Sequence, residues 1–100
     1  MAGPGAPHFL VHNRGDHVGV AVQDVEPGRR RAVYMDSDHE VEIDVVETVP
    51  LGHKVALADL EEGASVIEYA VPIGRTRRPV HSGQLVHVHN VRSARWERSG

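Results

Sequence analysis

The sequence predicts a small all-β domain with almost no helix. Three observations carry this expectation. Valine supplies 17 residues against five leucines and three isoleucines, and its stiff, branched side chain suits a pleated surface. Apolar and polar residues alternate, which is the period of a half-buried strand. Turns rich in Gly and Pro separate the alternating runs. The 100 residues are 40% apolar and 25% charged, a globular composition with room for one domain. A core this small is expected to lean on a partner or on a second copy of the chain. Little chain then remains to wall an enzyme pocket.

Each element follows in order. After a Gly/Pro leader over residues 1–7, Phe9-Leu10-Val11 reads as a short strand that ends at His12-Asn13. Arg14-Gly15-Asp16 forms a turn. Val18, Val20 and Val22 then alternate with His17, Gly19 and Ala21, a strand with one face more apolar than the other. Asp24-Val25-Glu26-Pro27-Gly28 turns the chain, and Arg29-Arg30-Arg31 is read as part of that turn, facing solvent. Residues 31–35 read as a strand and Asp36-Ser37-Asp38 as its turn. Val41, Ile43 and Val45 next alternate with Glu40, Glu42 and Asp44, which predicts a solvated edge or a surface facing a partner.

Pro50-Leu51-Gly52 breaks that strand. Residues 56–62 are the one helix-like stretch, long enough for a turn or two, and Gly63 ends it. Residues 65–69 read as a strand, Pro72-Ile73-Gly74 as a bend, residues 79–83 as a turn and residues 85–91 as the last strand. Six or seven short strands result, in a domain over residues 8–96 followed by a tail over 97–100. Asp24-Val25-Glu26-Pro27-Gly28 and Asp59-Leu60-Glu61-Glu62-Gly63 share one pattern 35 residues apart, with Val80-His81-Ser82-Gly83 as a looser third copy. Hairpin turns reusing the same residue types are the favoured explanation of this echo; a pseudo-symmetric half-repeat, too short for a solenoid, is the alternative.

Composition excludes several function classes. With no cysteine, the chain has no disulfide, no cysteine-ligated cluster and no thiol nucleophile. A formal charge of −3 leaves no footprint for nucleic acid. Residues 1–7 lack the basic start and apolar run of a signal peptide, and no stretch approaches a membrane span, so a cytoplasmic protein is expected.

Three places could carry chemistry. On a strand, His87 and His89 would share a face about 7 Å apart. Two such imidazoles can converge on a divalent metal, although same-face histidines on a half-exposed strand are more often solvated or hydrogen-bonded than ligands; no nearby carboxylate completes a ligand set. In Gly52-His53-Lys54 the glycine allows close backbone approach, His53 can move a proton and Lys54 is the one lysine beside ten arginines. Lysine becomes a base when burial lowers its pKa; the alternative is a surface lysine. Arg75, Arg77 and Arg78 carry forked donors that match carboxylate, sulfonate or phosphate oxygens, or they are solvated loop charge. Asp36-Ser37-Asp38 is too short for a cation loop.

Taken together, four motifs carry a family resemblance. Leu51-Gly52-His53-Lys54-Val55-Ala56-Leu57, Val66-Ile67-Glu68-Tyr69, Pro72-Ile73-Gly74-Arg75 and Gly83-Gln84-Leu85-Val86-His87-Val88-His89-Asn90 resemble, in order and spacing, the N-terminal SAF-type domain of the altronate and galactarate dehydratases. The likeness spans residues 8–96. The ends of the chain are most similar to the small (alpha) subunits of the sulfolactate sulfo-lyases, through Pro7-His8-Phe9-Leu10-Val11-His12-Asn13, Gly15-Asp16, Met35-Asp36-Ser37-Asp38, Val88-His89-Asn90-Val91 and Arg95-Trp96. One position departs from the pattern: the family usually follows the tyrosine with glycine, and here Ala70 follows Tyr69. If that position needs a positive φ, alanine is strained there.

The resemblance implies a compact SAF-type, β-clip-like fold and a lyase that acts with a separate large subunit. It implies elimination of sulfite from (2R)-3-sulfolactate to give pyruvate; a stand-alone domain of a sugar-acid dehydratase, or a binding module without catalytic groups, are the alternatives. It implies iron without a sulfur-ligated cluster, held mainly by the partner. It assigns His87 and His89 to the metal or the substrate oxygens, His53 and Lys54 to proton transfer or anion binding, and Arg75 and Asn90 to the substrate.

Overall fold

The computed structural model describes residues 6–87 and 89–93; the Arg95-Trp96 motif, Val88, most of the expected leader and the tail lie outside them. Nine short strands run β1 (Phe9–Val11), β2 (Val18–Ala21), β3 (Gly28–Tyr34), β4 (Glu40–Val45), β5 (Lys54–Ala56), β6 (Ser65–Glu68), β7 (Val71–Thr76), β8 (Leu85–Val86) and β9 (Val91–Ser93). One sheet has the order β4-β3-β1-β2-β5-β8 and the other β6-β7-β9. All pairings are antiparallel except β1 with β3. The mainly-β expectation holds, and ten of the fifteen buried hydrophobic side chains among the described residues are valines.

Two cores flank the central strands. Phe9, Val11, Ala21, Ala32, Ile43 and Val55 belong to one, and Val18, Ala56, Val66, Val80 and Val86 to the other. This arrangement changes the reading of β2. Val18 is buried, but Val20 is half-buried and Val22 exposed, whereas Gly19 and Ala21 are buried. A central strand covered on both faces needs no single apolar face, so Val18 serves one core and Ala21 the other.

Four further expectations are corrected. The arginine run lies on β3, not in a turn: Arg29 reaches Glu42 at 2.8 Å and Asp44 at 3.8 Å, and Arg31 reaches Glu40 at 3.6 Å. The acidic face of edge strand β4 is thus answered by its neighbour, in pairs that are largely exposed for Arg29 and half-buried for Arg31, so water screens much of their attraction. Residues 56–62 form no helix. Ala56 N donates to Gln84 O, Leu57 N to His17 O, and Leu60 exchanges two bonds with Val80, so the backbone is satisfied by distant partners. So short a run could not offset the cost of helix nucleation. Pro72-Ile73-Gly74 is strand rather than bend: a register shift at Val66/Ile67 accommodates the proline, and a Cβ on Gly74 would overlap the Arg92 carbonyl of β9. Finally, residues 85–91 are not one strand. Asn90 N and Val91 N both donate to His87 O, at 3.1 and 2.9 Å, and turn the chain between β8 and β9.

The echo in the sequence is a half-repeat of the backbone. Val25 and Val49 exchange two hydrogen bonds, as do Leu60 and Val80. Asp24 Oδ1 accepts from Leu51 N at 2.9 Å, and Asp59 Oδ1 from Ser82 N at 2.9 Å. Gly52 N donates to Ala21 O and Gly83 N to Ala56 O; His53 N donates to Pro50 O and Gln84 N to His81 O. Val80-His81-Ser82-Gly83 therefore answers Val49-Pro50-Leu51-Gly52, rather than the Asp24 turn. Gly52 and Gly83 share a positive φ, 85° and 91°.

Gly83 also joins the halves, because its carbonyl accepts from Val46 N and a Cβ there would overlap the Asp44 carbonyl. Gly83→Ala adds this overlap to left-handed strain and is expected to destabilise the fold by about 3 kcal/mol, read as a lower urea midpoint at unchanged slope. Between β6 and β7, Tyr69 and Ala70 both have positive φ, 57° and 62°, as a two-residue type I′ hairpin requires. Alanine is indeed strained at the position where the family prefers glycine. Ala70→Gly is expected to stabilise the fold by about 1 kcal/mol, measured as a raised melting temperature.

Candidate functional site

The β6–β7 hairpin docks on the turn between β1 and β2 through two side chains. Asp16, 5% exposed, accepts from Asn13 N and Tyr69 N at Oδ2 (3.2 and 3.0 Å) and from Ala70 N at Oδ1 (3.1 Å). His17 accepts from Ile67 N at Nδ1, 3.1 Å, and its own N–H donates to Ile67 O. These bonds hold the strained turn and fix Tyr69, whose ring stacks on His12 with centroids 3.9 Å apart.

Docking brings together residues far apart in sequence. Glu68, the last residue of β6, has a side chain only 3% exposed. Lys54 Nζ, from the first residue of β5, stands 3.7 Å from its Oε1, and His12 Nε2 stands 3.6 Å from its Oε2. Neither His12 Nε2 nor Glu68 Oε2 has a hydrogen-bond partner. Burial pushes the Glu68 carboxyl above its ordinary value, and Asp16 adds to that; Lys54 and His12 pull the other way without cancelling it.

The sequence-predicted residues divide between places. His53 and His87 come together, with ring centroids 5.2 Å apart, and His53 Nδ1 is buried without a hydrogen-bond partner. The adjacent Lys54 is directed instead to Glu68. His89 is exposed in the turn after β8, and that turn removes the shared strand face expected for His87 and His89. Asn90 is buried, and both ends of its amide serve the same turn: Oδ1 accepts from His87 N at 3.0 Å and Nδ2 donates to Leu85 O at 2.7 Å. Arg75 lies on β7 opposite Arg92, beside a shallow surface cavity of about 450 Å³ that His53, Lys54 and His87 do not line.

Sequence reasoning missed His12, Asp16 and Glu68. For Glu68 a signal was present, because strand alternation places it on the same face as the buried Val66. For His12 and Asp16 the sequence shows only turn residues. Among the described residues, no three His, Asp or Glu side chains are grouped to hold a metal ion. The His53–His87 pair could supply two donors at most, so these residues do not fit a complete iron centre.

An all-β domain of short strands is consistent with an SAF-type domain. The chain belongs to the altronate/galactarate dehydratase SAF domain family, whose model matches residues 7–94. It is 43% identical over 90 residues to the (2R)-sulfolactate sulfo-lyase subunit alpha of Chromohalobacter salexigens, covering 88% of this chain and 96% of that one. To the corresponding subunit of Paracoccus pantotrophus it is 44% identical over 48 residues, 48% of this chain and 72% of that one. The altronate dehydratase of Bacillus subtilis is 32% identical over 85 residues, which are 85% of this chain but 16% of the dehydratase.

The Glu68 shift has a sign that can be tested. The folded state holds a proton on this carboxyl more tightly than the unfolded chain does. Its favourable contribution is therefore complete below the ordinary value near 4.5 and is lost as pH rises through the raised value. At neutral pH the charge costs stability. Glu68→Gln is expected to melt above the wild type at pH 7 and to lose that advantage at pH 4, in parallel thermal melts.

Proposed function

We propose that this chain is the small subunit of a two-subunit lyase that releases sulfite from (2R)-3-sulfolactate. The observation that carries the reading is the match to nearly the whole of a sulfo-lyase alpha subunit, against about a sixth of an altronate dehydratase. The site geometry supports it, since a pair of imidazoles and a lysine beside a buried carboxyl are groups that move protons and hold anions.

In this reaction a proton leaves C2, the C3–S bond breaks with its electron pair departing as sulfite, and a C2=C3 double bond forms. The enol then gains a proton at C3 and loses its hydroxyl proton, giving pyruvate. His53, with a buried unpartnered Nδ1 beside His87, is the group we assign to the C2 proton. Lys54 supplies the cation for an anionic end of the substrate; Arg75, whose forked donors would match such an end, lines a separate cavity and is given no part in this step. His87 and His89 are carried on a turn that Asn90 holds in shape. The iron implied by the family resemblance is assigned mainly to the partner subunit, because this chain groups two imidazoles without a third donor among the described residues.

The test is sulfite release from sulfolactate with the purified chain alone, with the large subunit alone and with both. Activity is expected only from the mixture, and His53→Ala should lower it by roughly 100-fold or more. Wild-type turnover by His53→Ala would remove the assignment. Preference for altronate or galactarate over sulfolactate would replace the sulfo-lyase with a sugar-acid dehydratase.

A further inference from the structure

Glu68 has no part in the reaction as assigned, yet it is the most enclosed charged side chain of the site. It sits under two partly exposed groups. The Lys54 side chain is 36% exposed and that of His12 22%, whereas that of Glu68 is 3% exposed. Each of its two oxygens faces a different one of these groups, at 3.7 and 3.6 Å. Both separations exceed a hydrogen-bond length, so the carboxyl holds Lys54 by charge, and His12 in the same way only when that imidazole carries a proton. The atoms facing one another on the His12 side lack any hydrogen-bond partner. A buried carboxyl left in this state costs stability, and an apolar residue on the face of Val66 would avoid that cost. The strained Tyr69-Ala70 turn follows immediately, clamped by Asp16, and it sets the ring that presses on His12. Strain and an uncompensated buried group coincide at one place, as they do at sites kept for function.

We propose that Glu68 is a positioning residue for Lys54: its buried carboxylate, steadied by His12 on the opposite oxygen, holds the Lys54 ammonium where an anionic group of the substrate meets it. This rests on Lys54 belonging to the lyase site. Protonating Glu68 ends its hold on Lys54, so substrate binding weakens as pH falls through the Glu68 ionisation. The titratable groups facing that ionisation are Lys54 and His12, which lower it, and Asp16, which raises it; the exposed Tyr69 ring stacks on His12. A structural role alone would not produce this linkage.

The experiment has two arms. In the reconstituted lyase, Glu68→Gln keeps the size and burial of the side chain and removes its charge. KM for sulfolactate is expected to rise roughly tenfold at neutral pH, with kcat changed less than about threefold. The acid rise of KM seen in the wild type should vanish, and Glu68→Asp should retain it. A Glu68→Gln enzyme with wild-type KM and an unchanged pH profile would overturn the proposal. In the second arm, carboxyl ¹³C NMR follows Glu68 in the isolated full-length chain. Lys54→Met and His12→Phe should each move its titration to higher pH, and no response to either would also overturn the proposal. If the wild-type complex fails to release sulfite, the lyase reading fails, while the NMR arm still judges whether the three side chains act together.

Discussion

Asp16 holds the structure together at the point where its two halves meet. Its buried carboxylate accepts three backbone N–H bonds, one from its own turn and two from the hairpin between β6 and β7. Hydrogen bonds to a charged acceptor contribute about 1.5–3 kcal/mol each, whereas a left-handed residue other than glycine costs about 1–2 kcal/mol. The clamp is therefore of the right size to hold Tyr69 and Ala70 in a conformation their side chains oppose. Without it, Tyr69 would not be fixed against His12 and Glu68 would not be brought under Lys54. The chemistry gathered in this region depends on that one carboxylate.

The half-repeat explains how so short a chain obtains a site at all. The same turn is built twice, with equivalent aspartate, glycine and strand-bridge bonds. In one copy the glycine is followed by His53 and Lys54; in the other, Gln84 and Leu85 stand there. One copy presents reactive side chains, while the second lends its strand β8 as the wall against which β5 pairs and carries His87 to His53. Fold and site are thus two uses of one local structure.

Reactive groups left partly exposed suit the proposed shared site better than a self-contained one. Lys54 and His12 are partly exposed, and the exposed Leu51 and Tyr69 belong to the Leu51–Leu57 and Val66–Tyr69 motifs. A large partner that covers such a surface would exclude water and strengthen every charge interaction in it. On the proposed two-subunit reading the small core and the crowded chemistry have one explanation: the partner would supply the walls this chain lacks.

The sequence by itself determined the β class, the acidic face of β4, the turns at Arg14-Gly15-Asp16 and Asp36-Ser37-Asp38, the family and the Gly52-His53-Lys54 motif. These rest on local patterns of period two, turn chemistry and motif order, all of which are written in neighbouring residues. The tertiary structure alone decided which of those residues meet. It broke the expected strand at His87, because the chain there satisfies its backbone through His87 O and the Asn90 amide. It turned the helix-like run into strand and bridge, because partners 20 or more residues away met its hydrogen bonds. It also separated Lys54 from His53 and joined it to Glu68 and His12, since neighbours on a strand face opposite ways while contacts across the fold depend on how its two halves dock.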